Sequence, residues 1–256
     1  MRSRNISVWF LAVFQIWLAH CVVYLFHEYG HSFTAWLFHY KANPLALDYG
    51  GFNLPNLLFQ DDIDENVDYA PIFAAGHGYI VSIIAVAGVL IGNGISYIAS
   101  RLFYERAMHN KQRVWSMFFF WTCAMSVGNF LSYVPVRTFT THADMATTAQ
   151  GLNVSPWLIC LVLGVPFAAA IWHFFARILP EAEEFLFSSE PAMQAILVLL
   201  STYLVFVFFG GSGLYRYGNT SYSLSAFSEY LLFPLVTIAF WQRGNHLSRA
   251  RFSERV

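Results

Sequence analysis

His27-Glu28-Tyr29-Gly30-His31 places two imidazoles four residues apart, with a carboxylate directly after the first, inside an apolar run from Ser7 to Tyr40. On a helix, residues i and i+4 share one face a turn apart, so both rings can reach the same ion. Glu28 adjoins that face. A carboxylate there need not be a ligand; it can take a proton from a water whose pKa a zinc ion has lowered to about 7. The stretch thus offers two metal ligands and a base, the parts of metal-assisted hydrolysis. A packing role is the plain alternative, but a charged side chain near the bilayer centre costs roughly 3 kcal/mol on insertion scales, which argues for chemistry.

A catalytic zinc takes three protein ligands and leaves one position open. Asp144 is the only Asp between Asp68 and the C terminus, and His142 is its near neighbour; either can complete the site. Capping a short helix over 145–150 is the alternative use of Asp144. His77, in Ala74-Ala75-Gly76-His77-Gly78, is a further candidate, either to orient a ligand or to stabilise the transition state near the metal. Gly88 and Gly92 have the spacing that lets two membrane helices approach closely.

The elements that must position these residues are membrane helices. The chain of 256 residues is 57% hydrophobic and only 11% charged, too apolar for a water-soluble globule of this size. Six runs reach the length needed to cross a bilayer of about 30 Å: roughly 7–26, 72–98, 114–135, 156–176, 192–210 and 224–241. They lack the period-two alternation of a membrane barrel. The first run is too long for a signal peptide and lacks a small-residue cleavage site, so it is expected to stay in the mature protein.

Eleven basic residues (Arg2, Arg4, Arg101, Arg106, Lys111, Arg113, Arg177, Arg243, Arg249, Arg251, Arg255) fall on one side of the six-span arrangement, against Lys41, Arg137 and Arg216 on the other. The positive-inside rule then makes both termini cytoplasmic. In this arrangement spans one and three run in the same direction, so the end of the third lies on the side of His27 and His31. Between Lys41 and Tyr69, Ala42 to Leu57 has the composition of short strands and a turn, and could pair with an extended peptide. Asp61, Asp62, Asp64, Glu65 and Asp68 read as a solvated acidic face. Cys21, Cys123 and Cys160 stand alone in apolar runs and read as buried hydrophobes. No phosphate-binding loop and no nucleic-acid motif is present.

HEYGH in the first core helix, the strand-like segment after it, Ala75-Gly76 at the start of the second, and the series Asn129, Pro135, Asp144 after the third together resemble the site-2 protease family of intramembrane zinc metalloproteases. The resemblance covers roughly 7–151. It implies His27, His31 and Asp144 as zinc ligands, Glu28 as the base, and Asn129 near the substrate or oxyanion. In the family Asn, Pro and Asp lie close together and Gly commonly follows the Asp; here the series is stretched, Met145 follows, and His77 stands where Pro is common. The chain resembles a divergent member.

The expected architecture is an all-α polytopic membrane protein with about six transmembrane helices. A three-helix metalloprotease-like core fills 1–151, including the 41–69 loop, and 152–256 holds three further helices and a basic cytoplasmic tail. The expected activity is Zn2+-dependent cleavage of a peptide bond in or beside the membrane, with the lipid bilayer and a membrane protein substrate as partners. A non-catalytic relative that binds membrane partners is the alternative from another class, and the stretched Asn-to-Asp spacing is its support. A di-iron desaturase would need further His boxes, which the remaining histidines do not form. A prenyl-protein-type membrane zincin would need a downstream Glu ligand, for which only Glu229 is placed.

Overall fold

In the computed structural model, which describes residues 2–141, 143–215 and 217–241, the first apolar run forms one helix, α1 (Arg2–Leu37). No proline interrupts it. It ends where His39 adopts the left-handed conformation (φ 63°), with Tyr40 N–H bonding to Ala35 O at 2.9 Å and His39 N–H to Trp36 O at 3.0 Å. This is the Schellman arrangement, which satisfies carbonyls the last turn would leave open.

After α1 come two short helices, α2 (Leu54–Phe59) and α3 (Ala70–Ala74), then α4 (Gly78–Ala87), which passes through a π-helical segment (Gly88–Asn93) into α5 (Gly94–His109). Next is α6 (Arg113–Leu131), continued by a second π segment (Ser132–Val136) and a 3-10 turn (Arg137–Phe139). α7 (Asp144–Leu152) is short; α8 (Pro156–His173), α9 (Leu179–Phe187), α10 (Pro191–Thr202) and α11 (Gly218–Phe227) follow, joined by further π and 3-10 segments.

Six helical stretches are long and apolar enough to cross a membrane: Phe10–Leu37, Gly78–His109, Arg113–Phe139, Pro156–Phe187, Pro191–Gly213 and Gly218–Trp241. Their number matches the sequence reading, and most run longer because helix continues into the flanking polar residues. The third stretch is the most enclosed, with 72% of its apolar window buried against 11% in the sixth. Phe120, Trp121, Cys123, Met125 and Phe130 of α6 pack in one cluster with Phe167, Phe174 and Ile178 of the fourth stretch and with Val205, Phe206 and Phe209 of the fifth. Spans one and three run in the same direction, since Gln15 Nε2 donates to Val114 O at 3.0 Å near their starts and the His27 and Tyr133 rings lie 4.3 Å apart near their ends.

The 41–69 segment departs from the expected strands. Among the described residues its only β pairing is one antiparallel bridge, Asp48 to Asp64. The segment is a hairpin that turns back along α1: Trp17 Nε1 donates to Leu57 O (3.0 Å), His20 Nε2 lies 3.2 Å from Phe59 O, and Tyr24 OH donates to Ile63 O (3.3 Å). Positions 17, 20 and 24 share one helix face. Leu57 is therefore level with a residue twenty positions before the end of α1, about 30 Å along its axis. Irregular backbone alongside a membrane helix needs internal partners, and Asn56 provides them: its Nδ2 donates to Tyr49 O and Gly51 O, both at 2.9 Å, and its Oδ1 accepts from Asp62 N–H. Gly50 (φ 62°) makes the turn beside Asp62, whose Cβ would lie 2.3 Å from any Cβ added at position 50. Lys41 ties the hairpin's base, with Nζ donating to Ala46 O, Glu65 O and Asn66 O at 2.8 to 2.9 Å.

Candidate metal centre

His27 and His31 lie on α1 as the four-residue spacing requires, and both are buried. Asp144 arrives from α7. The chain after α6 turns through the π segment holding Pro135 and the 3-10 turn, so that α7 packs on α4 and its first residue meets the histidines. His27 Nε2 is 3.0 Å from Asp144 Oδ2, His31 Nε2 is 3.3 Å from the same oxygen, and the two Nε2 atoms are 3.1 Å apart. The helix-capping use of Asp144 is not realised: Ala143 is the N-cap of α7 and no side chain caps it.

The other nitrogen of each ring explains why these atoms can be ligands. His31 Nδ1 donates to Ile84 O at 2.7 Å, so its proton sits there and Nε2 presents a lone pair. His27 Nδ1 lies 3.2 Å from the side-chain amide of Asn93, whose Oδ1 has no other partner and accepts the Nδ1 proton once the amide is turned to face it. With both Nδ1 protons held in this way, Nε2 of each ring and a carboxylate oxygen of Asp144 converge, an arrangement that a cation bound in place of a ring proton satisfies. Tetrahedral ligation at about 2.0–2.1 Å separates neighbouring ligand atoms by roughly 3.3 Å, close to the three separations found. The donor set fits a metal ion.

Electrostatics agree. Burial pushes the Asp144 carboxyl up, but the facing His31 and His27 more than offset it, holding Asp144 well below the usual carboxylate range and therefore ionised.

Helix crossing makes room for the rings. A Cβ at Gly88 would lie 2.2 Å from His31 Nε2 and 2.7 Å from His27 Cε1; one at Gly92 would lie 2.3 Å from Phe26 O; one at Gly30 would lie 2.8 Å from Ala87 O. The packing role expected for Gly88 and Gly92 is what they perform, against the metal-site turn itself.

Glu28 is buried beside this group; His31, Glu65, Asp144 and Asp64 are the titratable groups acting on it. Glu65 corrects the reading of the acidic run as solvated: it is buried, accepts from Tyr69 OH at 2.8 Å, and burial pushes its carboxyl up. Asp61, Asp62 and Asp64 do remain exposed. Asn129 is buried on α6 one turn before Tyr133 and makes no hydrogen bond to His27, His31, Asp144 or Glu28. His77 heads α4 with Nδ1 2.5 Å from Tyr40 OH and is not part of the converging group of His27, His31 and Asp144. His142 lies outside the described residues.

Asn93, Tyr133, Arg137 and Glu65 join the surroundings of the site without a sequence signal of their own. The Gly-rich run ending in Asn93 was the one available cue, since a polar residue inside an apolar helix commonly has a partner. Comparison with protein-family models, with characterised proteins and with solved structures returns no match.

Proposed function

We propose that the protein is a zinc-dependent endopeptidase acting on peptide bonds within or beside the membrane, a divergent relative of the site-2 proteases. The observation that supports this most directly is the meeting of His27 Nε2, His31 Nε2 and Asp144 Oδ2 next to the buried carboxylate of Glu28. His27, His31 and Asp144 hold the ion, with Asn93 and the Ile84 carbonyl fixing the ring tautomers. When bound, zinc supplies the Lewis acidity that activates water and polarises a carbonyl.

Glu28 takes a proton from the attacking water at a carboxylate oxygen and passes it to the departing amine. Its burial keeps bulk water from competing for that proton. Helical substrates hide their carbonyls in intrahelical bonds and must unwind first. The hairpin holds the unwound peptide: it lies along α1 through Tyr24, and Tyr29 OH meets Tyr49 OH at 3.1 Å.

Metal analysis of the detergent-purified protein tests the centre. One zinc per chain is expected, falling to none in Asp144→Ala; no zinc in the wild type under conditions that do not strip metal would overturn the reading. Glu28→Gln is expected to keep zinc and lose cleavage by about 10²-fold or more. A Glu28→Gln protein that still cleaves at the wild-type rate would remove the base mechanism. The alternative, a non-catalytic protein that binds membrane partners, keeps the stretched spacing between Asn129 and Asp144 as its support, and the same zinc and cleavage measurements decide between the two.

A further inference from the structure

Arg137 is a basic side chain near the centre that the proposed mechanism does not use. It follows the π segment at the end of the third span, and its Nε is buried without a hydrogen-bond partner. None of the ion pairs among the described residues involves it. What holds it is aromatic: Cζ lies 4.4 Å from the centre of the Tyr133 ring and 5.6 Å from that of Tyr217. Tyr133 in turn packs on His27, ring centres 4.3 Å apart. The guanidinium is thus one ring removed from a metal ligand, within about 9 Å of the His27 imidazole.

A largely buried guanidinium without an anion is costly, and stacking on two rings returns only part of the hydration it gives up. The planar fork is held in place by its stack, and such a fork suits a carboxylate better than any neutral group.

We infer that Arg137 binds a carboxylate of the peptide substrate and so selects substrates with an acidic group near the scissile bond. At roughly 3.3–3.6 Å per extended residue, the acidic group belongs within about two positions of that bond. An acidic side chain and a free C-terminal carboxylate share this chemistry. The inference rests on the metal-site reading.

Three probes built on one succinyl hydroxamate, which grips the metal in each case, separate the possibilities. The first is extended by Asn-amide and is neutral, the second by Asp-amide with a side-chain acid, and the third by Asn with a free C-terminal acid. Binding to zinc-loaded wild type, Arg137→Gln and Arg137→Lys is measured by calorimetry, alongside zinc content. In the wild type one acidic probe is expected to bind at least about ten-fold more tightly than the neutral one, as a charge-assisted bidentate pair would give. In Arg137→Gln that preference falls to within about two-fold while zinc content and the neutral probe's affinity stay unchanged; Arg137→Lys retains part of it. The acidic probe that wins identifies the source of the carboxylate.

Equal binding of all three probes to the wild type overturns the inference and leaves the metal centre standing. A preference that survives in Arg137→Gln does the same. Absence of zinc, with no probe bound, overturns both. If Arg137→Gln also loses zinc, the residue is a structural support, and a full preference in zinc-loaded Arg137→Lys would overturn bidentate recognition.

Discussion

Tautomer control decides whether two histidines form a metal site or only a stacked pair. His31 donates to a main-chain carbonyl, which no side-chain substitution removes, whereas His27 depends on Asn93. Asn93→Ala is therefore expected to weaken zinc binding by about 10- to 100-fold without abolishing it, read by competition with a chelator. Glu65 carries the second prediction at this scale. Burial raises its folded-state pKa above the unfolded value, so its charge detracts from stability as pH rises through the folded pKa, while the protonated form is tolerated below about pH 4.3. Glu65→Gln keeps an acceptor for Tyr69 OH. Thermal unfolding should show the variant at least as stable as wild type at pH 8, with the difference closing on acidification; a variant clearly less stable at pH 8 would mean Glu65 is needed as an anion. His27, His31 and Glu28 were legible because one helix turn relates them. Glu65 and Arg137 were not: each has an aromatic neighbour four positions away, but whether either side chain is buried at the centre depends on elements distant in the chain.

Two π-helical segments flank the centre, Gly88–Asn93 and Ser132–Val136, and each does something a regular helix would not. A wider turn shifts which side chains face inward. The first brings Gly88, Gly92 and Asn93 all to α1, and the second, with Pro135 inside it, presents Tyr133 to His27 ahead of Arg137. Gly88→Ala is expected to drive a methyl into the space where His31 Nε2 and His27 Cε1 lie, with loss of zinc and destabilisation of about 1–3 kcal/mol or more from overpacking. Zinc content and Tm check it together; retention of both would mean the crossing can open at no cost. In the hairpin, the strand composition expected over 42–57 gives only one isolated bridge, and residues 54–59 form α2. Asn53 caps that helix through Oδ1, and Pro55 sits in its first turn, signals present in the sequence beside the strand-and-turn composition of the segment.

Across the whole molecule, spans one to three and α7 build the centre while the fourth and fifth spans enclose α6. At the end remote from the centre, Arg101 pairs with Glu181 at 2.7 Å and with Glu105 at 2.8 Å, joining the second span to α9. These pairs are partly exposed, so Glu181→Gln should lower stability by no more than about 1 kcal/mol and leave zinc content unchanged. Orientation is open to cysteine labelling from either side of the membrane: residue 111 should be reached from the cytoplasm and residue 43 from the opposite side. The sequence by itself determined the number of spans and the shared face of His27 and His31, because hydrophobic length and a 3.6-residue period are local properties. It narrowed the third ligand to Asp144 or His142. Only the tertiary structure brought Asp144 to within 3.3 Å of both histidines, laid the hairpin back along α1, and left Arg137 stacked without an anion. Those outcomes depend on how helices cross and where their turns widen, and that is settled by packing among residues far apart in the chain.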